Sequence, residues 1–86
     1  MKAFHLVISS PDGDIFAGEC VKLDVRGVEG ELAVMAGHTP FVTSVVKCSP
    51  VVWTDEETAR EAVTEGGLLT VGKDRVTFIS GTFKFK

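Results

Sequence analysis

Short runs in which apolar and polar residues alternate occupy most of the chain, and each run ends at a cluster of Gly, Pro, Asp or Ser. Alternation places every second side chain on one face, which is the pattern of a half-buried β-strand. The clearest run is 21–26, where Val21, Leu23 and Val25 alternate with charged residues. The breaks recur roughly every 8–12 residues, a spacing typical of an antiparallel sandwich or barrel. We therefore predict an all-β fold, a two-sheet antiparallel β-sandwich of roughly ten short strands.

The predicted turns are distinguished by their residue types. Gly, Pro and Asp favour turns because they adopt, or are already fixed near, the backbone angles that turns require. Hairpin connections are expected at 27–30 and 72–74, and further turns are expected at 11–14 and at Gly66–Gly67. Gly18 falls inside a predicted strand and is expected to mark a bulge or a kink.

Two segments depart from simple alternation. Residues 41–46 form a mixed apolar run, which predicts a strand buried on both faces. Residues 56–65 have partial helical spacing, and Thr54 or Asp55 could cap a helix there. Because this segment is short and lies between strands, a strand over residues 58–64 is preferred to a helix.

Length and charge limit what the chain can be. Its 86 residues are enough for one small domain, residues 1–86. The formal net charge is −3, and the Lys and Arg residues are scattered apart from a small basic end at Lys84 and Lys86. Proteins that bind nucleic acid usually carry a basic stripe that neutralises phosphates, so nucleic acid is not expected as a partner.

The two cysteines and two histidines have the spacing of neither a zinc site nor a redox pair. Cys20 and Cys48 lie in apolar surroundings and are expected to be reduced, largely buried thiols, as in a reducing cytoplasm. His5 is expected at a surface or an edge, whereas His38 follows a glycine in a loop. No metal ion and no cofactor are expected.

A membrane helix and an active site are also not expected. No apolar run approaches the ~20 residues that a membrane helix needs, and residues 1–8 are too short for a signal peptide. There is no nucleophile elbow, and Gly72–Asp74 lacks the glycine-rich frame of a phosphate loop. Acidic residues such as Glu29 and Glu31 fall on predicted turns, where they are expected to be solvated charges. We therefore predict a soluble protein that is not an enzyme.

The segment from Gly30 to Thr43 has the features of a loop that presents a polar group to a partner. Gly37 permits backbone angles that other residues avoid, and Pro40 holds the residue before it in an extended form. His38 lies between these two rigid elements, where it could meet a partner. The residues alone leave an ordinary strand–turn–strand corner as an equal alternative.

The order Gly-Glu-Leu at 30–32, Gly-His-Thr-Pro at 37–40 and Thr at 43 resembles the signature of the N-terminal domain of the ATP synthase epsilon subunit. The likeness covers nearly all of the chain, from an opening strand over residues 1–10 to a closing hairpin that starts at residues 65–67. It implies a two-sheet antiparallel sandwich, in agreement with the alternation.

The resemblance also implies a function and partners. It implies a non-catalytic subunit of the central stalk that attaches the gamma subunit to the c-ring and couples ion flow to ATP synthesis. By the same resemblance Glu29 and Glu31 would face the c-ring, and His38 and Thr43 would face gamma. The implied location is peripheral, on the cytoplasmic face of the bacterial inner membrane.

Three departures from the family pattern accompany this likeness. The family often has proline where this chain has Ala36, and glycine where it has Ala33. The chain ends at Lys86, before the helical hairpin that usually follows, so no inhibitory or nucleotide-sensing role is assigned. The alternative function is a free-standing small β-sandwich that binds a ligand or acts as an adaptor. A sugar site would need exposed aromatic residues, and Trp53 is the single tryptophan in a chain without tyrosine.

Overall fold

The chain folds into strands from near its first residue to its last. A computed structural model describes residues 2–86, which form nine strands and contain no helix that is long and apolar enough to cross a membrane. The strand expected at residues 1–10 begins at Phe4, and Met1 lies outside the described residues. The strands are β1 (Phe4–Ser10), β2 (Gly13–Cys20), β3 (Lys22–Gly27), β4 (Gly30–Val34), β5 (Phe41–Cys48), β6 (Val51–Trp53), β7 (Ala59–Val71), β8 (Arg75–Ile79) and β9 (Lys84–Phe85).

The strands pair into one continuous hydrogen-bonded path, β2-β1-β8-β7-β5-β3-β4, with β6 on β3 and β7, and β9 on β7. All pairs are antiparallel except β1 with β8, which is parallel. The fold departs at that pair from the purely antiparallel arrangement predicted above. A parallel pair joins strands that are distant in sequence, so the local turn signals carry no information about it.

The path folds over on itself to enclose one core. Cys20 on β2 and Val34 on β4 belong to the outermost strands of the path, yet both lie in the same buried cluster as Leu23, Leu69 and Phe78. One layer therefore has the order β2-β1-β8-β7-β5 and the other the order β4-β3-β6-β7-β9, with β7 shared between them. This is the predicted sandwich.

The long strand β7 passes from one layer to the other at two glycines. The turn predicted at Gly66–Gly67 is therefore wrong, because the strand continues through both residues. Even-numbered residues are buried before the glycines and odd-numbered residues after them, so the strand changes its buried side there. The helix considered for residues 56–65 is absent, and the preferred strand is confirmed as the first half of β7.

The crossing requires glycine at both positions. Gly66 has φ +137°, and a Cβ atom there would lie 2.8 Å from the carbonyl oxygen of Val45. A Cβ atom on Gly67 would overlap the carbonyl oxygen of Ile79. Two neighbouring strands therefore lie too close to β7 for any side chain at the crossing. In the sequence, a Gly-Gly pair at such a crossing looks the same as a Gly-Gly pair in a turn.

Two further expectations about strands are corrected. Gly18 pairs in regular register with Leu6. The bulge in β2 lies at Ile15, which has no partner on β1 because the register shifts between Ile8 and Ser9. The prediction that β5 is buried on both faces is also wrong, since Val42 is 62% exposed while Val45 is buried. The expected hairpins at 27–30 and 72–74 are confirmed.

Candidate functional site

The loop between β4 and β5 presents His38 at the surface. Gly37 has φ +84°, a left-handed conformation that favours glycine, and the His38 amide donates to the carbonyl oxygen of Met35 at 3.3 Å. The His38 ring packs at 4.9 Å from the ring of Phe41. Its Nδ1 lies 2.9 Å from the carbonyl oxygen of Thr39. A carbonyl can only accept, so Nδ1 carries the hydrogen, and Nε2 is the atom left for a partner.

Thr43 occupies a different environment. It lies on β5 opposite Leu69, is half-buried, and its hydroxyl donates to the carbonyl oxygen of Ser44 at 3.3 Å. A Cβ atom built on Gly27 would lie 3.4 Å from the Thr43 hydroxyl, so this side chain faces the neighbouring strand β3. The structure thus separates Thr43 from the exposed side of the loop that carries His38.

The two candidate carboxylates lie at the β3–β4 hairpin. Glu29 is exposed in the turn itself, and Glu31 is exposed on β4 opposite Arg26. Glu31 also lines a groove of about 650 Å³ together with Arg26 and Lys47, whereas His38 lines a separate groove of about 460 Å³. The structure therefore brings Glu29 and Glu31 together and keeps both apart from His38.

The sequence reasoning missed an uncharged face on the layer β2-β1-β8-β7-β5. Four adjacent strand segments in this layer, 6–9, 41–46, 66–72 and 76–79, contain no charged residue. Their register places two cross-strand rows on the outside of the layer. We call the residues of these rows the uncharged face: Val7, Ser9, Val42, Ser44, Leu68, Thr70, Thr77 and Ile79.

Three large side chains of the uncharged face are open to solvent. Val42 is 62% exposed, Ile79 is 50% exposed and Leu68 is 42% exposed. The outer side of the opposite layer is different, because it carries charged residues such as Lys22 and Asp24, whose side chains form an ion pair at 3.6 Å. A sheet face that carries exposed apolar side chains and no charge has the composition of a protein interface core, since charged residues are depleted there.

Neither thiol belongs to a metal or catalytic cluster within residues 2–86. Burial raises the pKa of the Cys20 thiol to about 12, so this buried thiol is an unreactive packing group. Cys48 is half-buried, and both cysteines are free. No group of three or more His, Cys, Asp or Glu side chains in this part of the chain could hold a metal ion.

The single tryptophan is used within the fold. The indole N–H of Trp53 donates to a carboxylate oxygen of Asp24 at 3.1 Å, and the ammonium group of Lys22 lies 6.0 Å from the ring centroid. The ring is half-buried and lies on the charged outer side of β6. These contacts do not favour the alternative of a sugar-binding sandwich, which needs an aromatic ring free to stack on a ligand.

Comparison with known proteins gives consistent matches over nearly the whole chain. Residues 3–86 match the family model described as ATP synthase, Delta/Epsilon chain, beta-sandwich domain. The ATP synthase epsilon chain of Afipia carboxidovorans is 35% identical over 95% of this chain and 60% of its own length. That of Bradyrhizobium sp. (strain ORS 278) is 32% identical over 93% of this chain and 58% of its own length. The chain thus spans about three fifths of the length of these curated relatives.

Two solved structures share the fold. A chain of the Euglena gracilis mitochondrial ATP synthase, determined with OSCP, F1 and c-ring, has a TM-score of 0.89 at 21% identity, over 96% of this chain and 53% of its own length. A chain of the Tetrahymena thermophila mitochondrial ATP synthase central stalk and c-ring has a TM-score of 0.80 at 8% identity, over 96% of this chain and 66% of its own length.

Proposed function

This chain belongs to the family of ATP synthase delta/epsilon-chain β-sandwich domains, and we propose that it is a non-catalytic subunit of the central stalk of a rotary ATP synthase. In this role it attaches the gamma subunit to the c-ring and couples ion flow to ATP synthesis. The epsilon chains it matches come from bacteria, so the proposed location is the cytoplasmic face of the bacterial inner membrane, peripheral and held there through the complex.

The observation that carries the proposal is the uncharged face. A sheet face that leaves Val42, Leu68 and Ile79 in water loses hydrophobic free energy unless a partner covers it. A subunit that transmits torque needs a broad, rigid contact, which the outer side of a sheet provides. We assign gamma as the occupant of this face because it adjoins the Phe41 end of β5, next to the loop of His38.

Glu29 and Glu31 suit a contact with the c-ring. Both are exposed at the β3–β4 hairpin, and neither forms an ion pair with another residue of 2–86. Exposed carboxylates can accept hydrogen bonds from basic or amide groups of polar loops. Thr43 is proposed to support the gamma contact from within, because its half-buried side chain lies behind the uncharged face and faces β3.

The gamma contact can be tested with two substitutions on the same strand. Leu68→Asp places a charge in the uncharged face, whereas Val63→Asp places one on the opposite layer, and the two side chains are similarly exposed at 42% and 40%. A buried unpaired carboxylate costs about 3 kcal/mol or more, which corresponds to a Kd raised about a hundredfold or more. Leu68→Asp should therefore abolish co-elution with gamma at micromolar concentration, and Val63→Asp should retain it.

Failure of the wild-type chain to bind gamma in the same size-exclusion experiment would overturn the proposed function. Equal binding by the two Asp variants would overturn the choice of face while leaving the attachment itself in place.

The c-ring contact is tested by charge reversal at the hairpin. Glu31→Lys should weaken attachment to the ring and lower proton-coupled ATP synthesis in the reconstituted complex, with the fold intact. Glu57→Lys makes the same change of charge at another exposed turn, the β6–β7 hairpin, and should leave coupling unchanged. Normal coupling in Glu31→Lys would remove Glu31 from the proposed contact.

A further inference from the structure

The groove that contains His38 also gathers positive charge. It has a volume of about 460 Å³ and lies between the start of β1, the end of β2, the β4–β5 loop and the β7–β8 hairpin. Three of the nine Lys and Arg residues of the chain line it, namely Lys2, Lys73 and Arg75. Both histidines of the chain line it as well. We call this the cationic groove.

The cationic groove also holds two carboxylates, Glu19 and Asp74, which leave it with a formal charge of +1. Glu19 lies 3.3 Å from Nδ1 of His5, and Asp74 is exposed in the hairpin turn. Within residues 2–86, Lys2, Lys73 and Arg75 form no ion pair. Outside the groove the chain has six cationic and ten acidic side chains, so positive charge is concentrated here in a protein of net charge −3.

The strand register holds part of this charge in a fixed place. His5 on β1 pairs with Arg75 on the parallel strand β8 on one side, and with Glu19 on the antiparallel strand β2 on the other. Neighbouring strands lie about 4.7–4.9 Å apart, so the Arg75 side chain starts beside the His5 imidazole, which already has its carboxylate partner. Arg75 therefore remains available to a group from outside the chain.

We infer that the cationic groove receives an acidic segment of the partner protein that lies against His38, with carboxylates of that segment meeting Lys73 and Arg75. This inference rests on the proposed function, which takes that partner to be gamma. A partner that covers this end of the sandwich removes water from three cations, and a charge left unpaired on burial is strongly unfavourable. The partner therefore has to supply negative charge here, while the neighbouring uncharged face requires none.

The mixed lining favours a peptide segment over a small free anion. The groove is bordered by four separate parts of the chain, and its wall includes the exposed side chain of Met35 beside the charged groups. Sites for small anions such as phosphate bring donors together on one point, often backbone N–H groups, and leave out carboxylates. An extended segment that alternates acidic and apolar residues can contact both the charged groups and the apolar part of the lining.

The test uses two double charge reversals with the same change in net charge. Lys73→Glu with Arg75→Glu reverses the cationic groove, and Lys84→Glu with Lys86→Glu reverses the basic end of the chain. Binding of gamma is measured by isothermal titration calorimetry at low and high salt. We expect the groove variant to raise Kd at least tenfold at low salt and to lose the salt dependence of the wild type, and the control to bind as the wild type does. All four residues are exposed, and thermal unfolding checks that both variants are folded.

The outcomes separate the inference from the function on which it rests. If wild type binds gamma and the two variants bind it equally, the cationic groove is not the contact and the attachment stands. If wild type does not bind gamma, attachment fails, and the groove is judged with a ten-residue alternating Glu-Leu peptide. Binding of that peptide that is lost in the groove variant would support an acidic segment from another protein. No binding of the peptide, or its displacement by millimolar inorganic phosphate, would overturn the inference.

Discussion

The crossing of β7 between the layers depends on Gly66, and replacing this residue by alanine should destabilise the domain severely. Two costs add at this position. A side chain at φ +137° is strained by about 1–3 kcal/mol. The new Cβ atom would also lie 2.8 Å from the carbonyl oxygen of Val45, a backbone atom held by the β5–β7 register, and such overpacking costs about 1–3 kcal/mol.

Gly13 provides a matched control for the first cost. It has φ +129°, close to that of Gly66, but nothing lies within 4 Å of a Cβ atom built there. Gly13→Ala should therefore lose about 1–3 kcal/mol and Gly66→Ala about 2–6 kcal/mol. A domain of this length has a free energy of unfolding of about 4–13 kcal/mol, so Gly66→Ala removes a large share of it.

Urea unfolding followed by the fluorescence of Trp53 measures the difference. With an m-value of about 1 kcal/mol/M, the midpoint of Gly66→Ala should lie about 1–3 M below that of Gly13→Ala. Equal midpoints for the two variants would refute the reasoning, because they would mean that β5 yields to the new methyl group and that only the backbone angle requires glycine.

Three further substitutions test the core, a buried polar network and a buried thiol. Phe78→Ala should lower the free energy of unfolding by about 3–5 kcal/mol in urea titrations, because this ring is fully buried. Thr64→Val should cost about 1–3 kcal/mol in the same assay, because it removes the buried hydroxyl that bonds the Ser80 hydroxyl at 2.9 Å. Burial raises the pKa of Cys20 from 9.0 to about 12, so between these pH values only the unfolded chain releases the thiol proton. The contribution of the neutral thiol to the free energy of unfolding is complete below about pH 9 and falls by about 1.4 kcal/mol per pH unit up to about pH 12. Cys20→Ala should lack this pH dependence, and Cys48→Ala should keep it.

Local residue types were enough to predict most of the strands and hairpins. The alternation over 21–26 became the half-buried strand β3, and the glycines at 27 and 30 became the ends of a hairpin. These features depend on neighbours in the sequence, which is why a pattern can predict them. The strand over 58–64 was preferred to a helix because the segments on either side of it are strands. That information, too, comes from neighbouring residues in the sequence.

Features that depend on distant contacts were not predictable. The parallel pairing of β1 and β8 joins the first strand to the eighth, and nothing in either segment specifies the partner. Gly66–Gly67 is read as a turn by residue type, and only the closeness of Val45 and Ile79 shows that it is a crossing. The same limit applies to the cationic groove, because Arg75 and His38 come together only through the fold.

The error made on β5 contains the signal that would have found the uncharged face. A strand that is apolar on both sides needs a covering layer on each, and in a folded chain that second cover is usually a helix or another sheet. Residues 2–86 contain no helix, and their strands are all used by the two layers that enclose the core. The apolar side chains on the outer side of 41–46 and 68–71 therefore have no cover from residues 2–86. Apolar strands in excess of what a two-layer fold can bury favour another molecule as a third layer, and this supports the proposal that gamma covers the uncharged face.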